Sequence, residues 1–348
     1  MKYLGLILLT CVLLSCDENA RRSKPVSTGQ YGEIFIIVDE DLFTPKLKAA
    51  LNTSLQRPQM LYGGEEPYFK IVYMTPSQAK GGLVYEGTTL IITRSGANCG
   101  VRKLLPEAVD SAVTLKKRQG IHTILQKNIW STPQQVLFIL GDNADSLTAY
   151  IDQRTDQLLA RVLEMERIEA VGRMTYLHDE TIRKAISDKH NIDVRAPISY
   201  HIASNSKIND KEGLIWLRHE DSEFDLNVVI HYQPYTDTGQ FSLPNLIARR
   251  DSVVKPYITG EAKGSFMSTD NQFPYFLQTV EFNGKFAREY NALWTMANDF
   301  MGGPYYSVTV HDEKNKRLVT LEGFVYAPNE EKTRCLRELQ GILYGVRF

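Results

Sequence analysis

The run Tyr305-Tyr306-Ser307-Val308-Thr309-Val310-His311, the polar pentapeptide Asp312-Glu313-Lys314-Asn315-Lys316 and the run Arg317 to Tyr326 (RLVTLEGFVY) decide the fold class. Two runs rich in β-branched and aromatic residues flank a charged turn, which is the pattern of a β-hairpin. After Pro328 the period changes. Cys335, Leu336, Leu339, Ile342 and Leu343 recur at helical spacing within Asn329 to Tyr344. A hairpin followed by a packed helix indicates an α+β order with an antiparallel sheet.

Working back from this hairpin, Ile198 to Ala203, Leu214 to Arg218 and Leu226 to Tyr232 read as strands, the last two joined by Glu220-Asp221-Ser222-Glu223. Leu243 to Tyr257 reads as a helix and Tyr275 to Phe282 as a strand. Asn291 to Asn298 reads as helical, and Gly302-Gly303-Pro304 as a turn. In the first half, Glu33-Ile34-Phe35-Ile36-Ile37-Val38 is a continuous apolar run, as in a strand buried on both faces. A helix with Leu47, Leu51 and Leu55 on one stripe follows it. Tyr68 to Met74, Thr89 to Thr93, Ile121 to Leu125 and Val136 to Leu140 are further strands. Gly141-Asp142-Asn143 then opens a long amphipathic helix burying Leu147, Ile151, Leu158, Val162, Met165 and Ile168. Its other face, Asp152, Arg154, Asp156, Arg161, Glu164 and Arg167, reads as solvated. The pattern weakens near Gly172, resumes from Asp179 to His190, and ends before Pro197. The expected architecture is α+β in two domains of mixed and antiparallel sheets packed with helices. An N-terminal α/β domain ending in long helices spans 31–190, and a C-terminal α+β domain spans 191–348.

The 348 residues are more than one core usually holds, since single cores stop growing beyond about 250–300 residues. With 40 Lys+Arg against 41 Asp+Glu, the chain lacks the basic footprint of a nucleic-acid binder. Its first residues carry an address. Lys2 precedes the apolar run Leu4 to Leu14, too short to span a bilayer, which needs about 20 residues, so 1–15 reads as a cleaved signal peptide. Leu13-Leu14-Ser15-Cys16 resembles the bacterial lipobox, which implies that Cys16 is acylated and becomes the mature N-terminus. Residues 16–30 are then the lipidated cysteine and a flexible polar tether. The pair Asp17-Glu18 is similar to the acidic export signal of surface lipoproteins, and reads equally as an acidic linker. Cys99 and Cys335 remain as a disulfide or as two buried thiols.

No Cys or His cluster has metal-ligand spacing, and the seven histidines are scattered singly, so neither a metal nor a cofactor is expected. Nucleophile elbows and phosphate loops are missing too, which points to a binding module rather than an enzyme. The one unusual composition is 266–306, with Phe273-Pro274-Tyr275-Phe276, Trp294, Asp299, Tyr305 and Tyr306. Aromatic faces beside Asn and Asp suit a sugar ring or an extended peptide, and Trp294, Asp299, Tyr305 and Tyr306 are the candidate ligand-binding residues. The same aromatics would equally pack a sheet core. A glycosidase would need two carboxylates in one cleft, and Asp299 with Glu281 or Glu289 are the local candidates.

The lipobox, Gly32 to Asp39, Asn128 to Gln135 (NIWSTPQQ), Leu293-Trp294 with Asn298 to Pro304 (NDFMGGP), and Glu322 to Pro328 (EGFVYAP) together resemble an uncharacterised family of Bacteroidota envelope lipoproteins. The second half is also similar in element order to PsbP-like sandwiches. The family resemblance implies an anchor in the cell envelope, at the outer membrane. It brings no activity and no catalytic residues. The expected function is therefore a lipid-anchored, non-enzymatic binding or scaffold module whose partners are the membrane, through its lipid, and an envelope protein or polymer. The alternative is a polysaccharide-binding protein or glycoside hydrolase using 266–306.

Overall fold

The computed structural model describes residues 24–348 apart from 62–63, 95–99, 121, 210 and 274. The leader, Cys16, residues 17–23 and Cys99 lie outside the described residues. The first half comprises β1 (Glu33–Val38), α1 (Pro45–Leu55), β2 (Pro58–Leu61), β3 (Gly64–Pro67), β4 (Lys70–Met74), α2 (Pro76–Ala79), β5 (Thr88–Thr93), α3 (Glu107–Arg118), β6 (Thr123–Lys127) and β7 (Gln135–Leu140). The helices α4 (Ala144–Asp152), α5 (Thr155–Leu177) and α6 (Glu180–His190) follow. Five strands form one sheet in the order β4-β1-β5-β7-β6, parallel except for the edge strand β6.

This sheet explains the unbroken apolar runs. Ile34, Ile36 and Val38 face α1, α4 and α5 together with Leu90, Ile92, Leu137 and Ile139, while Phe35, Ile37, Ile91, Val136 and Phe138 face α2 and α3. With both faces covered, every second residue cannot be polar, and periodicity 2 disappears from the sequence. The helices start where the chain offers caps. Thr44 accepts from the Leu47 amide at 3.3 Å before Pro45, and Asn143 with Ser146 forms a capping box on α4.

The second half comprises β8 (His201–Asn209), β9 (Glu212–Glu220), β10 (Asp225–Pro234), α7 (Leu243–Val254), β11 (Phe266–Thr269), β12 (Phe276–Phe282), β13 (Lys285–Ala297), β14 (Gly302–Asp312), β15 (Arg317–Tyr326) and α8 (Lys332–Gly345). They build an eight-stranded antiparallel sheet in the order β11-β13-β14-β15-β10-β9-β8, with β12 also paired to β13. One face packs Val228, Ile230, Val308, Leu321 and Val325 on Leu339, Ile342 and Leu343 of α8. The other packs Val229, Tyr290, Trp294, Tyr305 and Phe324 on Leu246, Val253 and Val254 of α7. At the centre of that second face Arg250 of α7 makes a bidentate pair with Glu322 of β15, Nη2 to Oε1 at 2.8 Å, both side chains fully buried. The fold is α+β with two separate sheets.

Several expectations are corrected. Asn291 to Asn298 is not helical: Ala292, Trp294 and Met296 are buried and the residues between them are less so, which is strand alternation, and β13 pairs along its length with β14. Gly302-Gly303-Pro304 is no turn but the start of β14, with Gly303 opposite Trp294. The helix after Asn143 is two helices, α4 and α5, divided at Gln153 and Arg154. It does not weaken near Gly172, because that glycine admits the Pro133 ring, which a Cβ would meet at 2.6 Å. Ile168, expected in the buried stripe, is 38% exposed, whereas Glu166 and Glu169 are buried. The flexible tether does not extend to Gln30. Residues 24–30 are strapped across the first sheet, Ser27 N donating to Thr132 O at 3.2 Å and Thr28 N to Tyr85 O at 3.2 Å.

The two sheets meet through α5. Its first turns, with Leu158, Leu159, Val162 and Met165, cover the first sheet, and Met174 near its end joins the core of the second. Beside α8 the approach is close: a Cβ on Gly341 would stand 2.9 Å from Ala170 Cβ. No described helix is long and apolar enough to cross a membrane.

Candidate functional site

The sheet alternation divides the aromatic candidates. Trp294 and Tyr305 point to the α7 face and Tyr306 to the α8 face, and all three are buried. Trp294 Nε1 donates to Val325 O at 3.1 Å. The Tyr305 hydroxyl meets Thr269 Oγ1 at 3.0 Å beneath the Arg250 guanidinium, and burial pushes its pKa up to about 12. The Tyr306 hydroxyl donates to the Glu289 carboxylate and lies 3.0 Å from that of Tyr344. A sugar platform of Trp294, Tyr305 and Tyr306 is therefore overturned, because α7 and α8 cover the two faces on which they lie, while Phe273, Phe276 and Phe300 of the same region stay exposed. Asp299 sits in the β13–β14 loop, where its Oδ1 accepts the Phe300 amide at 2.7 Å. The carboxylates are divided too. Glu289 faces Gln278 on the α8 side, whereas Glu281 is opposite Phe286 on the other side and is exposed. Asp299 lies past the far end of β13, most of an extended strand away from both, so neither shares a cleft with it.

What the structure does assemble is a polar seam between the two halves. The strap 24–30 runs through it, followed by Tyr31 and β1. Ser27 Oγ donates to Glu169 Oε1 at 2.8 Å, and Arg173 Nε lies 3.0 Å from the same oxygen. Arg173 Nη2 donates to Gly29 O at 2.6 Å, and its guanidinium stands over the Tyr31 ring. Gly29 takes φ +98, a left-handed backbone, and a Cβ there would strike Glu86 Oε2 at 2.3 Å, so the strap passes only as glycine. One turn earlier on α5, Glu166 accepts the Gly32 amide and stands 3.1 Å from Arg337 Nε of α8. On the α8 side Tyr200 donates to Glu338 Oε1 at 3.1 Å. Glu66 of β3 accepts the amides of Lys332 and Thr333 at 2.9 and 2.8 Å, a carboxylate from one half capping the positive end of a helix in the other.

Above these groups opens a cleft of ≈ 280 Å³ lined by Tyr31, Glu33, Lys70, Glu223, Phe224, Glu330, Arg334 and neighbours. Acidic groups outnumber basic ones. Lys70 is already paired with Glu331 at 2.7 Å. The cleft presents carboxylates and aromatic edges to a ligand, while the seam below is occupied by structural hydrogen bonds. That arrangement can fix two halves, hold protons, and receive a cationic group.

Burial dominates the titration of the seam. It raises Glu166, Glu86 and Glu338, and pushes Glu169 up to about 7 against the opposing Arg173 charge. A carboxyl whose folded pKa is raised binds its proton more tightly in the folded state. Its contribution to stability is present below the unfolded value of 4.5 and is lost as pH rises through about 7. Glu169→Gln is accordingly expected to gain stability relative to wild type between pH 5 and pH 8, read as the difference in urea midpoints at the two values. A difference that does not change with pH refutes the assignment.

Nothing in the periodicity marked Glu166, Glu169 and Arg173. Spaced by three and four residues on a helix, they are indistinguishable from a solvated ion-pair face. The signal that could have found them is Gly29 and Gly32 just upstream of β1, where the left-handed backbone, φ +98 and +79, needs glycine.

Residues 27–175 match a domain of unknown function (DUF8532), and residues 179–345 match a second domain of unknown function (DUF4837). No curated protein matches the chain.

Proposed function

We propose that this chain is a lipid-anchored protein of the bacterial cell envelope, held at the outer membrane through acyl groups on Cys16, and that it binds a protein partner without catalysing a reaction. The observation that carries the reading is the cleft between the halves, whose Glu33, Glu223 and Glu330 present acidic groups around Phe224 and Tyr31. A basic segment of a partner protein complements that lining. Charge of this kind acts mainly on the association rate and the choice of partner. The anchor is supported by the Leu13-Leu14-Ser15-Cys16 lipobox at the end of an apolar leader. An envelope polymer is the less favoured ligand, since Trp294, Tyr305 and Tyr306 are buried.

Two readouts in cells test this. Wild type should fractionate with membranes and carry acyl mass on its N-terminal peptide, and Cys16→Ala should leave the membrane fraction. A photo-cross-linker at position 330 should give one discrete protein adduct that weakens with salt. Membrane retention of Cys16→Ala, or no adduct across repeated captures, would defeat the anchor and the binding reading respectively.

A further inference from the structure

The described chain emerges from the seam at one defined edge of the first sheet. Lys24 to Gln30 cross the amino ends of the parallel strands: Thr132 N donates to Pro25 O at 2.9 Å just before β7, and Gly87 N donates to Thr28 O at 3.1 Å just before β5. Asp39, Arg94 and Asp142 lie at the other ends of these strands. A six-residue strand measures about 20 Å, so the two edges are separated by about that distance.

From Cys16 to Lys24 there are eight Cα steps, which at full extension reach at most about 29 Å. Where the strap leaves the fold, the surface has an interfacial composition. Val26 and Tyr85 are each 40% exposed, and both belong to the strap or to the segment it pairs with. Lys24 donates to Asn128 O, next to the exposed Lys127. An aromatic ring and an aliphatic side chain flanked by lysines match the headgroup region of an anionic leaflet. At the distant edge the charges are paired, Asp41 with Arg94 at 2.6 Å and the exposed Asp142 with Lys117 at 3.4 Å.

Building on the anchor reading above, we propose that the β5-β7-β6 corner of this amino edge, at Lys24, Val26, Tyr85 and Lys127, lies against the phospholipid headgroups, whereas Glu33 and Lys70 at the starts of β1 and β4 line the cleft. The carboxyl edge at Asp39 and Asp142 then faces away from the membrane. The strap thus sets an orientation as well as an attachment. Placing Lys24 at the bilayer side also leaves the helix-starting loops after β1 and β7 open to the aqueous compartment, the position at which parallel sheets accept ligands.

The test uses the full acylated protein in vesicles of phosphatidylethanolamine and phosphatidylglycerol, with p-benzoylphenylalanine at position 85, 26 or 142. Acyl mass on the N-terminal peptide is measured on the same samples. Lipid adducts several-fold more abundant from 85 and 26 than from 142, and reduced by Lys24→Glu with Lys127→Glu, are the expected result. Equal adducts from 85, 26 and 142 on acylated protein overturn the orientation and leave the anchor standing. A peptide without acyl mass instead removes the anchor, and the orientation with it.

Discussion

Arg250→Ala is expected to lower the unfolding free energy by about 3–5 kcal/mol, the cost of leaving one member of a buried ion pair without its partner. Arg250 and Glu322 are both fully buried, and the guanidinium engages both carboxylate oxygens, Nε at 3.2 and 3.1 Å and Nη2 at 2.8 Å. The remaining donor, Nη1, reaches Asp251 Oδ1 at 3.1 Å, which in turn accepts from the amide and hydroxyl of Thr269. Truncation to alanine strands the Glu322 charge between α7 and the sheet. Equilibrium urea unfolding reads the effect. A double variant, Arg250→Met with Glu322→Leu, removes both charges and should recover most of the loss, because apolar replacements of buried pairs are often neutral or stabilising. If Arg250→Ala unfolds at the wild-type midpoint, the pair is not holding α7.

Trp294→Ala carries the second large effect, about 3–5 kcal/mol for emptying a buried indole site. The ring is 1% exposed, meets Phe324 edge-on at 5.6 Å, and donates to Val325 O. Gly303 makes room for it: a Cβ there would lie 2.0 Å from Val325 O and 3.0 Å from Trp294 Nε1. The variant should lose stability in urea while its adduct from position 330 is unchanged under folding conditions. Full stability with loss of that adduct would instead make Trp294 part of a binding surface.

Trp294 also shows where reading the sequence reaches its limit. Its run, Asn291 to Asn298, has few residues of strong preference, and Trp294 beside Met296 and Leu293 fits a helix period as well as a strand period. Pairing with β14 settled the matter, since Ala292, Trp294 and Met296 together cover one face only in an extended chain. Hairpins with charged turns, such as β14–β15, needed no such arbitration, because turn and strands lie within one short segment.

The α+β class, the buried first strand Ile34 to Val38, most strand positions and the last helix were legible in the residues alone, because local periodicity and turn chemistry are written in neighbouring positions. Which polar residues are buried depends on contacts between distant parts of the chain. Glu169 meets Ser27 across 142 residues and Glu166 meets Gly32 across 134, so no local window contains both partners. A carboxylate on a helix looks solvated until another part of the chain supplies the amide, hydroxyl or guanidinium that compensates its desolvation. For the same reason, alternation says that Tyr305 and Tyr306 diverge, but only the packed helices say that both faces are closed.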